Sequence, residues 1–100
     1  MRLFWSEKAV KDLNAIYDYY FFKSPAVGIR YYNTILTEAE RLIKNPQIGM
    51  IDQDLSTNIY TVRSLVILDG LYKILYIADK KQVGIYRIWA CRKNPKDKSI

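Results

Sequence analysis

The chain has 100 residues, half of them hydrophobic and 26% charged, which is the composition of one globular domain and excludes a disordered chain. It contains no histidine and a single cysteine, which excludes an intramolecular disulfide and argues against a zinc site, so we expect no metal and no other cofactor. The net charge is +6, and all of this excess lies in residues 57–100, because residues 1–56 carry seven basic and seven acidic side chains. Such a distribution indicates an anionic partner, either a nucleic acid or an acidic protein.

The sequence predicts a cytoplasmic location. No basic stretch followed by an apolar run occurs at the N-terminus, so a secretory signal is not expected. No apolar stretch approaches the ~20 residues that a membrane-spanning helix needs. A lone cysteine fits a reducing compartment. We therefore expect no membrane partner.

Two amphipathic helices are predicted after a short strand at residues 2–5. Ser6 provides an N-cap oxygen for the first helix, which runs to about Phe22, with Asp12 on its polar side. Ser24-Pro25 begins the second helix, because proline is tolerated at the first helical position. So short a connection requires an antiparallel hairpin, and the apolar stripes of its two helices need the face of a sheet.

The second half of the chain is predicted to form a meander of three strands. Asn45-Pro46 ends the second helix, and the aperiodic residues 47–58 are expected to be a loop. Three runs rich in β-branched and aromatic residues follow, and an Asp69-Gly70 turn joins the first two runs. The runs cover residues 59–67, 71–78 and 83–92. The polar residues 93–100 are predicted to be a flexible basic tail.

The order β-α-α-β-β-β predicts an α+β fold in a single domain over residues 1–100, with an antiparallel sheet packed against the helical hairpin. Strand alternation places Tyr72, Ile74 and Tyr76 on one face of the middle strand. In the last strand it places Arg87 on the same side as Ile85 and Trp89. Cys91 lies inside the same predicted strand and is expected to be a small buried hydrophobic side chain.

Six short motifs follow one another along nearly the whole chain. They are Ala9-x-x-Asp12-Leu13-x-x-Ile16-x-x-Tyr19, Ser24-Pro25, Asn45-Pro46-x-x-Gly49, Val62-Arg63-Ser64-Leu65, Tyr72-Lys73-Ile74-x-Tyr76 and Arg92-Lys93-Asn94-Pro95. In this order and spacing the chain resembles the RelE/ParE superfamily of bacterial toxins from type II toxin–antitoxin systems. The resemblance implies the same α+β fold.

The resemblance implies a toxin with a cognate antitoxin as partner, assembled as a toxin–antitoxin hetero-oligomer, and leaves the target open. RelE-like toxins cleave mRNA in the ribosomal A site, while ParE-like toxins inhibit DNA gyrase. The antitoxin wraps and neutralises both kinds. Fold alone does not choose between these activities.

Whether the chain is an enzyme depends on a complete set of catalytic groups. A metal-free ribonuclease needs cations to stabilise charge and a group that exchanges protons. By their positions Lys73 and Arg92 match basic residues of RelE-like toxins, and Arg63 lies near another. No Tyr or His follows Arg92, so the proton donor would have to be Lys73 or a tyrosine such as Tyr72 or Tyr86. We therefore favour ParE-like gyrase inhibition without catalysis. Ribosome-dependent mRNA cleavage and a non-toxic binding module of the same fold are the alternatives.

Two sets of residues are candidates for binding partners. The predicted target surface consists of cations on the sheet and at its end, namely Arg63, Lys73, Arg87, Arg92 and Lys93. The ordinary alternative is that these are solvated strand charges that prevent edge pairing. The predicted antitoxin surface consists of aromatic residues in excess of what the helical stripes need, namely Trp5, Tyr19, Phe22 and Tyr31.

Overall fold

A computed structural model describes residues 1–100, and the predicted α+β class is confirmed. The elements in chain order are β1 (Arg2–Trp5), α1 (Glu7–Lys23), α2 (Pro25–Lys44), β2 (Met50–Ile51), β3 (Arg63–Ile67), β4 (Tyr72–Ala78) and β5 (Gln82–Ala90). Short 3-10 helices occur at Leu68–Gly70 and Pro95–Asp97. The strands form one five-stranded sheet in the order β1-β5-β4-β3-β2. Neither α1 nor α2 is both long enough and apolar enough to cross a membrane.

The sheet is built around the antiparallel meander β3-β4-β5. The predicted N-terminal strand joins this meander as β1, with Leu3 opposite Val83 and Trp5 opposite Ile85. This pairing is parallel, so the sheet is mixed at one edge. At the other edge the two-residue β2 pairs with the beginning of β3.

The helical hairpin begins and turns as its sequence predicts. The Oγ of Ser6 accepts a hydrogen bond from the N–H of Ala9 at 3.1 Å and caps α1. Ser24 occupies the N-cap position of α2, but its side chain makes no capping hydrogen bond. The two helices approach closely at this corner, since a Cβ on Gly28 would lie 2.6 Å from the backbone nitrogen of Phe21.

The main hydrophobic core lies between the helical hairpin and one face of the sheet, which we call the inner face. Tyr72, Ile74 and Tyr76 all point into it, as strand alternation predicts. The buried Tyr76 hydroxyl donates to the carbonyl of Pro46 and accepts from the N–H of Gly49, both at 2.8 Å. These two bonds hold the chain that leaves α2 against the sheet.

The predicted strand at residues 59–67 is too long at its start, because pairing begins only at Arg63. The Oγ1 of Thr57 accepts hydrogen bonds from the N–H groups of Ile59 and Tyr60, and the carbonyl of Tyr60 accepts from the N–H of Thr57. This local turn competes with strand pairing. The stretch predicted as a loop also contains one short strand, β2.

A β-bulge in β5 changes the predicted assignment of its faces. Leu75 pairs with Arg87 and Tyr76 with Ile85, so Tyr86 has no partner on β4. The extra residue shifts the alternation, and Ile85 and Ile88 both point into the main core. The prediction that Arg87 shares the side of Ile85 is therefore wrong.

The prediction for Cys91 is also wrong. The strand β5 ends at Ala90, and the chain turns there, with the N–H of Cys91 donating to the carbonyl of Leu71 at 3.0 Å. Cys91 is exposed. The sequence predicts a strand that continues to Arg92, so it does not indicate this turn.

The opposite face of the sheet, the outer face, carries a second and smaller set of buried side chains. Val62, Leu75 and Trp89 are buried but do not belong to the main core. Lys98 reaches this side of the molecule, where its Nζ lies 2.5 Å from the carboxylate of Asp52, and the side chains are 8% and 5% exposed.

The C-terminal segment, residues 91–98, must cross the outer face to make this ion pair. It starts where Ala90 pairs with Tyr72, whereas Asp52 binds the carbonyl of Val62 at the other end of β3. These points are separated by roughly 20 Å, which residues 91–98 and the long side chain of Lys98 can span although Pro95–Asp97 forms a 3-10 helix. The helices occupy the inner face, so the segment runs along the outer one. The stretch predicted as a tail thus has a defined contact with the domain.

Candidate functional site

The five cations of the predicted target surface do not form one cluster. Arg63 pairs with Tyr76 near one end of the sheet, and Lys73 pairs with Trp89 near the other end. Arg92 and Lys93 follow the end of β5. Only the last two are adjacent, so the other three cations have separate surroundings.

Arg87 is bound within the chain. Its Nε donates to Oδ2 of Asp12 at 2.7 Å and its Nη2 donates to Oδ1 at 3.2 Å. The N–H of Ile88 also donates to Asp12, at 3.0 Å. The hydrogen bond with Asp12 raises the pKa of the Arg87 guanidinium. This fork holds α1 on β5 just beyond the point where β1 ends, so Arg87 does not present a free charge to a partner.

Arg63 and Lys73 are both half-buried, and neither forms a salt bridge. The Nη1 of Arg63 donates to the carbonyls of Gly49 and Gln47 at 2.8 and 3.4 Å, which ties it to the chain between α2 and β2. Lys73 is half-buried on the outer face and takes part in none of the three salt bridges. Lys73 therefore has fewer polar contacts within the chain than Arg63 and is more available to a partner.

An open cleft of about 260 Å³ lies between α1 and the end of β5, and we call it the α1–β5 cleft. Its floor is apolar, and its mouth carries a tyrosine and two cations. The lining residues are Asp12, Ala15, Ile16, Tyr19, Tyr72, Ile88, Ala90, Arg92 and Lys93. Two alanines, one on each wall, leave the space that larger side chains would fill.

The mouth of the cleft is positively charged. Arg92 and Lys93 are exposed and take part in none of the three salt bridges. The Nζ of Lys23 donates to the hydroxyl of Tyr19 at 2.8 Å. This hydrogen bond and the charge of Lys23, together with the charge of Arg92, lower the pKa of Tyr19. The ammonium of Lys93 lies 5.1 Å from the ring centre of Trp89.

Tyr72, at the inner end of the cleft, has the opposite electrostatic environment. Burial, and then its hydrogen bond with Tyr20, raise the pKa of the Tyr72 hydroxyl well above its usual value. It is therefore neutral at physiological pH. Cations and hydroxyl donors of this kind can bind an anion. No group of three Cys, Asp or Glu side chains is placed to hold a metal ion.

The residues of the predicted antitoxin surface differ in exposure. Phe22 is 92% exposed and Tyr19 is 48% exposed, both on the last turns of α1. Trp5 is half-buried against the main core. Tyr31 is half-buried too, with its ring 4.7 Å from that of Tyr20. Only Tyr19 and Phe22 therefore offer a broad apolar surface.

The fold brings together residues that the sequence assigns to different partners. Tyr19 belongs to the predicted antitoxin surface and Arg92 to the predicted target surface, yet both line the mouth of the cleft. The sequence gives no sign of the role of Asp12, which it places on the polar side of α1. It also gives no sign that Ala15 and Ala90 line a cleft, because small apolar residues at helical and strand positions are ordinary core residues.

Comparisons with known proteins agree with this architecture. The family model for the ParE toxin of the type II toxin–antitoxin system, parDE, matches residues 3–95. A solved structure described as the chromosomal ParDE TA system from P. aeruginosa is similar to the chain, with a TM-score of 0.70 and 26% sequence identity. The match covers 90% of this chain and 95% of that one. No curated protein sequence shows a significant match.

Proposed function

The chain belongs to the ParE toxin family of type II toxin–antitoxin systems, and we propose that it inhibits DNA gyrase without catalysis and is neutralised by a cognate antitoxin. The resemblance to the RelE/ParE superfamily is confirmed by this membership. The target and the neutralisation are the proposed part.

The observation that carries the proposal is the pair of unneutralised cations, Arg92 and Lys93, at the end of β5. The excess charge of +6 lies in residues 57–100. Within this range Arg87 is paired with Asp12, so its charge is not available to a partner. What remains at the strand end is a compact positive surface, extended by Lys73 on the outer face. Such a surface attracts and orients an anionic partner.

A second candidate, ribosome-dependent mRNA cleavage, is favoured by one specific observation. The sequence has no Tyr or His after Arg92, but the fold places Tyr19 of α1 at the mouth of the same cleft. Its lowered pKa and its neighbours Lys23 and Arg92 are features that a proton-transfer group would need. Gyrase inhibition is the favoured function because it requires only the binding surface, whereas mRNA cleavage also requires a proton-transfer group.

The test is a pair of assays on the purified chain, one of gyrase supercoiling and one of cleavage of ribosome-bound mRNA. We expect inhibition of supercoiling and intact mRNA. Arg92→Glu and Lys93→Glu should each raise the concentration needed for inhibition on the order of tenfold, because a charge is reversed at the contact. Lys8→Glu, an exposed position at the start of α1, is the matched control and should have no effect.

Three outcomes would redirect the proposal. Cleaved mRNA with unimpeded gyrase would establish the second candidate, and loss of that cleavage in Tyr19→Phe would assign the proton transfer to Tyr19. Equal inhibition by the parent chain and by Arg92→Glu would move the gyrase contact elsewhere. Normal growth on induced expression would leave a non-toxic binding module.

A further inference from the structure

We infer that the α1–β5 cleft binds a segment of the antitoxin that places an aliphatic side chain in the floor and a carboxylate between Arg92 and Lys93. This inference rests on the proposed function for the identity of the partner. It has a direct consequence, because the same segment would cover the cations proposed to bind the target.

The floor of the cleft fits an aliphatic side chain. It is formed by Ala15 and Ile16 on the helix and by Ile88 and Ala90 on the strand. Ala15 is exposed and Ala90 half-buried, so apolar surface remains open to solvent between the two elements. Burial of that surface together with an inserted side chain would stabilise a complex.

The charges of the cleft fit a carboxylate. Asp12 is the one acidic side chain in the lining, and its two oxygens accept hydrogen bonds from Arg87 and from the N–H of Ile88. Its charge is therefore compensated within the chain. The planar guanidinium of Arg92 can bind a carboxylate through two parallel hydrogen bonds, and Lys93 adds a second positive charge.

Exposed aromatic side chains extend the surface of the cleft along α1, where a longer segment could bind. Tyr19 forms part of the mouth, and Phe22 lies one turn further along α1 with 92% of its surface exposed. Exposed aromatic side chains next to a pocket commonly contribute much of the binding energy of protein interfaces. The apolar floor, the cationic mouth and these rings form one continuous surface.

A protein segment suits this surface better than single-stranded nucleic acid. Nucleic-acid grooves present open aromatic faces on which bases stack, along a track of positive charge. Here the ammonium of Lys23 lies 4.4 Å from the ring centre of Tyr19, and the ring of Tyr20 packs edge-on at 4.9 Å. The ring of Tyr19 is therefore partly occupied, and Phe22 is the one open ring of this surface, whereas successive bases stack on several rings.

The decisive experiment compares two leucine substitutions on adjacent residues of α1. Ala15→Leu fills the cleft, whereas Asn14→Leu adds the same side chain to an exposed position outside the cleft lining. Affinity for the purified cognate antitoxin is measured by calorimetry with full-length chains. We expect Ala15→Leu to weaken binding at least on the order of tenfold and Asn14→Leu to leave it unchanged, and Arg92→Gln should weaken it similarly.

The chemistry of the occupant is tested with defined probes. One is a synthetic octapeptide of alternating leucine and glutamate, the second carries glutamine in place of every glutamate, and the third is an eight-nucleotide oligothymidylate. Nuclear magnetic resonance should show the amide signals of Ala15, Ile88 and Arg92 shifting with the first peptide at lower concentration than with the other two probes. Stronger shifts with the oligothymidylate would assign the cleft to nucleic acid and overturn the inference.

The outcomes separate this inference from the proposed function. Equal antitoxin affinity of Ala15→Leu and Asn14→Leu, with both variants folded by their thermal unfolding curves, would overturn the cleft as the antitoxin site whatever the target proves to be. A parent chain that leaves gyrase active would overturn the proposed target, while the affinity comparison would still decide the occupant of the cleft.

Discussion

The inner face of the sheet is buried under other elements, whereas the outer face is buried only in part and by different means. The inner face lies under two long helices and belongs to a core of 13 buried residues. The outer face has three buried hydrophobic side chains outside that core, and the segment that crosses it is held at its end by the Lys98–Asp52 ion pair. The first arrangement follows from repeated local patterns, whereas the second depends on one contact between residues 46 positions apart in the chain.

The difference in construction implies a difference in local stability. Residues 91–97 are all exposed, so the segment over the outer face buries little of its own surface. Regions with few buried apolar contacts open at lower free energy than packed cores. We therefore expect the outer face to open before the inner face.

The largest effect is expected for Ile74→Ala, compared with Leu75→Ala at the next residue of β4. Both side chains are fully buried, Ile74 in the main core and Leu75 on the outer face. The cost of such a truncation is about 2–5 kcal/mol and depends on how far the surroundings can collapse into the cavity. We expect Ile74→Ala near the upper end and Leu75→Ala near the lower end, as measured by chemical denaturation. Equal losses would show that the C-terminal segment is as firmly packed as the helices.

The next effect concerns the attachment of α1 to β5. Asp12→Ala removes the acceptor of Arg87 and of the N–H of Ile88 while both remain largely buried. Loss of one partner of a buried ion pair costs about 3–5 kcal/mol, and some exposure of this pair brings the expected loss to about 2–3 kcal/mol. Asp12→Asn, which keeps an acceptor oxygen, should lose less. A smaller loss in Asp12→Ala than in Asp12→Asn would contradict the assigned role.

The smallest effect is expected at the outer face, in Lys98→Gln. Burial raises the pKa of Asp52, but hydrogen bonds from Lys98 and from the N–H groups of Leu55 and Asp54 outweigh it, so the pKa is lowered overall. A lowered carboxyl pKa stabilises the folded state above the unfolded-state value of about 4, and this stabilisation is lost as the pH falls further. Because glutamine keeps a hydrogen-bond donor for Asp52 and the exposed segment can open to let water reach the carboxylate, the variant should lose only about 1 kcal/mol at pH 7, with hydrogen exchange of residues 91–98 increased.

The pH dependence provides the internal control for this last prediction. The difference in unfolding free energy between the parent chain and Lys98→Gln should be constant from pH 5 to 7 and should shrink as the pH falls below about 4. A difference that persists at pH 2 would show that Lys98 stabilises the segment by packing and not through Asp52. The other lowered carboxyl, Asp79, binds backbone N–H groups of Lys81 and Gln82 and should be unaffected.

Much of the inner face could be predicted because its signals are local. Ser6 caps α1, Pro25 starts α2, and the alternation of Tyr72, Ile74 and Tyr76 places these residues in the core. Each pattern depends on residues within a few positions of one another. The same reasoning failed in β5, because one unpaired residue in the bulge reverses the alternation that follows it.

The candidate site could be predicted only in part. The sequence identified Tyr19, Arg92 and Lys93 from residue type and position, but it assigned them to separate surfaces. Their meeting at one cleft depends on the packing of α1 against the end of β5, which is fixed by the Asp12–Arg87 pair. Residues 75 positions apart leave no periodic signal.

The sequence by itself determined the α+β class, the two helices, the meander, the location of the excess charge and the family. These depend on periodicity, capping, composition and ordered motifs, all of which can be identified from the sequence alone. Only the tertiary structure decided which cations remain available, because the charge of an arginine reaches a partner only if no carboxylate of its own chain binds it first. By that criterion Arg87 is bound and Arg92 is not, although they lie five positions apart.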